Sequence, residues 1–493
     1  MLRLYSPQTG QLLRDSREVQ KAVESTADLA PQDAIREVTE TLEAISPLLD
    51  SDPPAMLHLL AILDEASHAH TRVLCEGYLE ENPQTGHHDL FLLAHHFWAQ
   101  LANCFSDLLA SFAAAGPIPD DTRAELCVRL IRASTEGQRW DALHYGPFEP
   151  RHWARIGQAW LAAGGIEQRP VRLRPERQTE TSVEREYMRA VAFFICAPEA
   201  LDEIQIEQAW RLIHYMLPAL ELRRTPSDAT LYCIDPEAGR PPVRVSRITT
   251  ESLMRRHFSA PHAIETFKEL ERAQLAGELP PILDVPAPEA AIRFTAMLNH
   301  LKQYWSPEPP VRGHRRHPMP AQLQVVDGIE NVIDCLAGGV GLVSSTWEQL
   351  DVSLHGIGAQ ATLSEKHPLR VGRMIALHSD DSEHWLIGVV RRVMRVAEER
   401  AFIGTEFLSW HAAVVRADDG VQEVRALLLD VLHKAATVRV ALPTGAARSE
   451  APLFLLDQGK AVKLNPVELL EHTGDYEIRS YQVAAAHRPE LAA

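Results

Sequence analysis

Between Arg312 and Gly356 the chain gathers arginines, a carboxylate, a hydroxyl and a glycine at short spacings. A basic cluster comes first, Arg312-Gly-His-Arg315-Arg316-His317, with Arg312 and Arg316 in the pattern R-x-x-x-R. Further along stands Asp351-Val-Ser353-Leu-His-Gly356, the pattern D-x-S-x-x-G. Arginine is a planar, permanently charged fork that meets phosphate oxygens in pairs, fits the O6/N7 edge of guanine and stacks on a base plane. A carboxylate such as Asp351 only accepts, so it can receive the N1–H and N2–H₂ groups of guanine. Ser353 adds one adaptable hydroxyl, and Gly356 lets the backbone bend or come close to a ligand. On a strand, Asp351 and Ser353 would present their side chains on one face. This inventory does not by itself choose among guanine nucleotides.

The elements around these residues fit that reading. Ser306-Pro-Glu-Pro-Pro310 breaks the preceding pattern, because proline removes N–H donors and fixes φ; it delivers an extended linker to Arg312. After residue 320 the apolar period changes from about 3.6 to about 2. Strands are expected at Gln322–Val326, Thr346–Leu354, Ala359–Leu363, Arg373–Leu377, Leu386–Val396 and Ala401–Phe407. Short strands at such spacing indicate a barrel or sandwich.

The two motifs, in this order and followed by these strands, resemble the PilZ domain, a small β-barrel that binds the bacterial second messenger cyclic di-GMP. The resemblance covers about residues 311–410 and continues through Leu369-Arg-Val-Gly372, Ile387-Gly-Val-Val390 and Ile403-Gly404-Thr-Glu-Phe407. It implies ligand contacts at Arg312, Arg316, Asp351, Ser353 and Gly356, with Arg315 as an added one, and cyclic di-GMP as ligand with no separate cofactor. One departure stands out. Asp351 lies 35 residues after Arg316, longer than usual for the family, and the extra length is expected in the loop Ala337-Gly-Gly-Val-Gly341.

Upstream the period is helical. Ile35, Val38, Leu42, Ile45 and Leu49 recur at steps of three or four, and Leu93, Phe97, Leu101, Phe105, Leu108 and Phe112 form a wide apolar stripe. Helices are expected at Pro31–Leu49, Met56–Leu79, Leu90–Phe112, Asp120–Leu143 and Pro150–Ala163. Thr181 and Glu184 fit a capping box that opens a second helical block. Within that block Leu231–Ile234 and Val243–Ile248 read as a hairpin, and helices resume over 250–275 and 288–304. The expected fold class is multidomain α plus β: an N-terminal all-helical region followed by a PilZ-like antiparallel β-barrel and further C-terminal strands. The domains are expected at 1–165 (helical bundle), 181–305 (second helical block with a short β-hairpin), 311–415 (barrel) and 421–493 (a β extension or small β domain).

Bulk properties exclude several classes. A net charge of −18 argues against a general nucleic-acid or anionic-membrane binder, which needs an excess of Lys and Arg on its binding face. No run approaches the roughly 18 apolar residues of a membrane span, and the N-terminus lacks the apolar core of a secretory signal. The six cysteines are scattered, without a C-x-x-C pair, and read as buried free thiols of a cytoplasmic protein. His87-His88-Asp89, with His68, His70, His95 and His96 near by, invites a metal reading and resembles the HD-type phosphohydrolases. The later ligand pattern of that family is not evident, and chance clusters are common among 23 histidines, so no metal is assigned. The expected function is a non-enzymatic cyclic di-GMP receptor whose helical region contacts a protein partner. The alternatives are an interaction scaffold with a degenerate barrel that binds no nucleotide, and an HD-like metal phosphohydrolase.

Overall fold

The computed structural model describes residues 5–6, 11–12, 23, 25–80, 87–174, 179–248, 252–283, 288–308, 314–339, 344–363, 369–379, 382, 384–433, 436–448, 450–457 and 460–484. The chain divides into two compact units. One comprises Met1–Pro198, Ile206–Leu283 and His300–Pro309; the other comprises Glu199–Gln205, Asp284–Asn299 and Pro310–Ala493.

The first unit is built on five long helices: α1 (Pro31–Ile45), α2 (Pro53–Leu79), α3 (His87–Ala115), α4 (Asp120–Leu143) and α5 (Pro150–Ala162). Proline sits at the start of α1, α2 and α5, where its missing N–H costs nothing. Asp52 caps α2 by accepting from the Ala55 N–H at 3.3 Å. The apolar stripe of α3 lies in the core, with Phe97, Leu101, Phe105 and Leu108 fully buried. Buried charge is paired rather than isolated: Arg129 of α4 donates to Asp64 and Glu65 at 2.6 Å each and to Glu125 at 2.9 Å. Among the described residues no helix is long and apolar enough to cross a membrane.

Two local expectations change here. The second helical block opens with α6 (Val183–Ile195), but its cap is Ser182, which accepts from the Arg185 N–H at 3.2 Å. Thr181 instead donates its hydroxyl to Glu186 at 2.8 Å. After α7 (Glu203–Met216) the expected hairpin is part of a four-stranded sheet. Its strands are β1 (Glu221–Arg223), β2 (Thr230–Ile234), β3 (Val243–Arg244) and β4 (Arg256–Ser259), in the order β1-β4-β2-β3. The stretch read as helix from residue 250 therefore holds an inner strand, and helix begins only at α8 (Ala263–Ala276). Another helix, α9, spans Pro288–Tyr304.

The second unit holds two closed antiparallel barrels, as expected in kind for the C-terminal half. The first consists of β5 (His317–Asp327), β6 (Ser345–Ser353), β7 (Gly356–Thr362), β8 (Met374–Ser379), β9 (Leu386–Ala397) and β10 (Arg400–Ser409). Its order is β6-β7-β10-β9-β8-β5, closed by β5 on β6. The second consists of β11 (Ala413–Asp418), β12 (Glu423–Leu428), β13 (Thr437–Pro443), β14 (Leu453–Asp457), β15 (Lys460–His472) and β16 (Tyr476–Val483). Its order is β11-β12-β13-β16-β15-β14, closed by β14 on β11. Counted from each barrel's own first strand, the two pairing schemes are the same.

Of the expected loop Ala337–Gly341, residues 340–341 lie outside the described residues; between β5 and β6 stands a helix, α10 (Ile329–Leu336). Its buried residues Ile329, Val332 and Ile333 join a core cluster shared by both barrels, with Met374, Ile387 and Val389 from the first and Leu427, Ala441, Tyr476 and Ile478 from the second. Each such side chain contributes roughly 1.5–3 kcal/mol on burial, enough to make the insertion a structural element. Gly328, at φ +86°, turns the chain into α10. The Asp475 carboxylate of the second barrel then receives the first helical N–H, from Ile329 at 3.2 Å, as suits an anion at a helix start. Asp475 also accepts from the Met374 N–H at 2.9 Å and from Arg373 at 3.0 Å. Arg391 of the first barrel donates to Glu471 of the second at 3.0 Å, and the Tyr476 hydroxyl reaches the same carboxylate at 2.9 Å. The barrels are thus joined by a greasy centre and a polar rim.

Candidate functional site

The R-x-x-x-R and D-x-S-x-x-G residues meet at one end of the first barrel. Arg316 is the last residue before β5, and Asp351 and Ser353 close β6. The register places His317 opposite Val352 and Pro318 opposite Asp351, so the arm enters alongside the aspartate strand. A bulge between Gln349 and Asp351 resets the alternation there. Beyond the bulge Asp351 and Ser353 share a face of the strand.

Arg316 donates from Nη1 to Asp351 Oδ1 at 2.6 Å, and the same oxygen accepts from the Gly358 N–H at 3.0 Å. The two side chains stay 27% and 32% exposed, so an incoming ligand can compete for both. Ser353 donates its hydroxyl to the Gly356 carbonyl at 3.1 Å and closes the tight turn from β6 to β7. His355, in that turn, accepts at its carbonyl from the Phe407 N–H at 2.8 Å. The arm's His314 ring lies against the His355 ring, centroids 4.2 Å apart.

Gly356 is required by close approach. A Cβ there would stand 2.0 Å from the Thr405 carbonyl oxygen of β10. Gly358 was not singled out from the sequence, yet a Cβ there would meet Arg316 Nη1 at 2.6 Å and Asp351 Oδ1 at 2.7 Å. Its signal was the alternation Gly356-x-Gly358, two bare positions on one strand face. Arg315 is exposed beside the pair. Arg312 lies outside the described residues, so the arm's first arginine has no placement here.

The histidines weighed for a metal do not converge as a group. The side chain of His87 lies outside the described residues, and Asp89 is exposed. The His88 ring packs near Phe91 and His144. His96 pairs with Glu43 at 2.8 Å, and His68 contacts Asp64 at 3.5 Å. Among the described residues, only His95 of this set enters a ligand-like cluster, through Asp141. The thiols of Cys75, Cys104 and Cys127 are pushed up to about 12 by burial, which keeps them protonated and unreactive.

No curated protein matches the chain. A family model described as "Cyclic-di-GMP receptor FimW, N-terminal domain" matches residues 17–227, which hold α1 to α7 and lie outside the barrel with the two motifs. Barrel geometry and family match are therefore independent observations on separate parts of the chain. Residues 17–227 are thus similar to the N-terminal domain of a cyclic-di-GMP receptor.

Proposed function

We propose that this protein is a cyclic di-GMP receptor, and that the nucleotide binds at the end of the first barrel where the arm meets β6 and β7. The observation that carries the proposal is the Arg316–Asp351 pair, which brings the two sequence motifs to one place in a chain whose residues 17–227 match the N-terminal domain of a cyclic-di-GMP receptor. Without ligand, each member of the pair satisfies the other. With ligand, Arg316 exchanges the carboxylate for phosphate or the guanine O6/N7 edge, and Asp351 receives the guanine N1–H and N2–H₂. Arg312 and Arg315 supply further charge, Ser353 a hydroxyl, and Gly356 and Gly358 the close backbone packing that holds the turn and Asp351 in place. One charge-assisted bond is replaced by several, and such bonds contribute about 1.5–3 kcal/mol each.

In this reading the protein acts as a receptor rather than a catalyst. The arm is continuous with the linker Ser306–Pro310 and so with the helical part of the chain. A ligand gripping arm and barrel together biases whichever arrangement it binds more tightly, which is how the signal would reach a protein partner of the helical region. The test is calorimetric titration of cyclic di-GMP into the full chain, with GTP as control and the Arg312→Ala/Arg316→Ala variant beside it. Saturable binding lost in the variant supports both receptor and site. Binding that survives the variant moves the site elsewhere. No binding by the unmodified chain would instead favour a scaffold role.

A further inference from the structure

Within the first unit, α3, α4 and α5 bring His95, Asp141 and His152 together, with one possible ligand atom from each within 4.8 Å of the others. His95 Nε2 stands 3.2 Å from Asp141 Oδ1, and His152 Nε2 stands 3.4 Å from Asp141 Oδ2. Donors bound to a tetrahedral ion at about 2.0–2.1 Å lie about 3.3 Å from one another, so this spacing already suits a metal. Asp141 and His152 are each 1% exposed, while His95 remains partly open to solvent.

Three further features favour a ligand over a simple brace. The buried His152 Nδ1 has no hydrogen-bond partner, and its Nε2 reaches Asp141 only at a long 3.4 Å, although a buried imidazole ordinarily finds closer partners. Gln138, one turn before Asp141 on α4, is 6% exposed, and neither its amide oxygen nor its amide nitrogen has a partner. Gln138 and Asp141 both line a cavity of about 120 Å³ walled by Phe148, Trp153, Phe193 and Phe194. That is room for more than one water beside Asp141. The surroundings are also arranged to hold the donors. The Glu149 N–H donates to Asp141 Oδ2 at 2.9 Å, fixing the carboxylate from outside. A Cβ at position 137 would stand 2.4 Å from His152 Cε1, so Gly137 is what lets the ring lie against α4.

We propose that His95, Asp141 and His152 form a binding site for a divalent transition metal ion. Two imidazoles and one carboxylate favour Zn²⁺ or Fe²⁺ over Mg²⁺ or Ca²⁺, which prefer all-oxygen ligand sets. The ion ties three helices together, beside the cavity that Asp141 and Gln138 line. This site is independent of nucleotide binding at the barrel.

The test uses the full chain without a polyhistidine tag, loaded with Zn²⁺ or Co²⁺, dialysed, and assayed by elemental analysis and by the visible spectrum of the cobalt form. The expected result is about one retained equivalent, visible cobalt bands, and a melting temperature raised by the metal, because an ion that binds only the folded state stabilises it. His152→Ala and Asp141→Asn should abolish all three signals, whereas His96→Ala, next to His95 on α3 but paired with Glu43, should leave them intact. Should the buried variants fail to fold by circular dichroism, His95→Ala, at the partly exposed position, reads the site instead. A chain that retains no metal and shows no melting shift with either ion overturns the proposal, as does retention that survives both histidine substitutions.

Discussion

The two barrels share one strand order but treat a comparable carboxylate differently. In the first, Asp351 near the end of the second strand is held by Arg316 and by the Gly358 N–H. In the second, Asp430 just beyond the second strand is held by Arg439 of the third, through the backbone N–H at 2.8 Å, Nε at 3.0 Å and Nη2 at 2.7 Å. Exposure does not separate them, since the carboxylates are 32% and 33% exposed. What separates them is where the arginine is rooted. Arg439 belongs to a barrel strand and also donates to the Leu408 carbonyl at 3.0 Å, so its fork is committed. Arg316 belongs to the arm that enters the barrel, so its partner can be exchanged without breaking a ladder. The same topology thus serves as a candidate receptor in one copy and as a braced support in the other, as expected when function resides in a grafted site.

The largest effect should come from the exchangeable pair. Replacing Arg312 and Arg316 by Ala removes two charge-assisted contacts, about 1.5–3 kcal/mol each, so affinity for cyclic di-GMP should fall by about 10²- to 10⁴-fold in calorimetry. Asp430→Ala should leave that affinity within about twofold; an equal loss there would erase the distinction between the barrels. Next is the element they share. Ile333→Ala opens the common core and should cost about 2–5 kcal/mol, lowering one joint unfolding transition of both barrels. If calorimetric melting instead shifts one of two separate transitions, the barrels fold independently.

A smaller contrast is steric. Gly356→Ala drives a Cβ against the Thr405 carbonyl and should cost about 1–3 kcal/mol or more, weakening both barrel stability and nucleotide binding. Gly445→Ala in the second barrel meets nothing within 4 Å and bears only the strain of φ +74°, about 1–2 kcal/mol, with binding unchanged. The smallest effect is protonic. Burial acts to raise the Asp430 carboxyl, but its bonds to Arg439 prevail and hold it below the ordinary value. A depressed folded-state pKa gives stability that is fully present above the unfolded value of about 3.9 and lost as pH falls through the lower folded value. Asp430→Asn should therefore flatten the acid limb of a melting-temperature profile between about pH 4 and lower values. An unchanged limb would mean that the Arg439 bond is not what braces the second barrel.

Much of this was legible in the residues alone. Prolines and a Gly-Pro stop bracket the helices of residues 31–162, so their period could be read between clear ends. Asp120–Leu143 was expected with the bounds it has. The barrel strands were legible because an inside-outside alternation is a local pattern, and the R-x-x-x-R and D-x-S-x-x-G spacings named a ligand chemistry through donor and acceptor inventory. Other features depend on partners far away in the chain. Arg256–Ser259 was read as helix because its partners, β1 and β2, lie upstream and leave no period behind in the strand itself. The cap of α6 fell on Ser182 rather than Thr181 because the Thr181 hydroxyl found Glu186.

Composition and spacing thus determined the class of most elements and the kind of ligand the arm and β6 could recognise, since both follow from side-chain chemistry and local periodicity. Only the tertiary structure decided that the insertion after β5 becomes a helix bridging two barrels, because its apolar face has value only where both cores meet. It likewise decided that Arg316 faces Asp351 across a bulge, and that His95, Asp141 and His152 converge from three helices. Such juxtapositions are set by packing between remote segments, which no local pattern encodes.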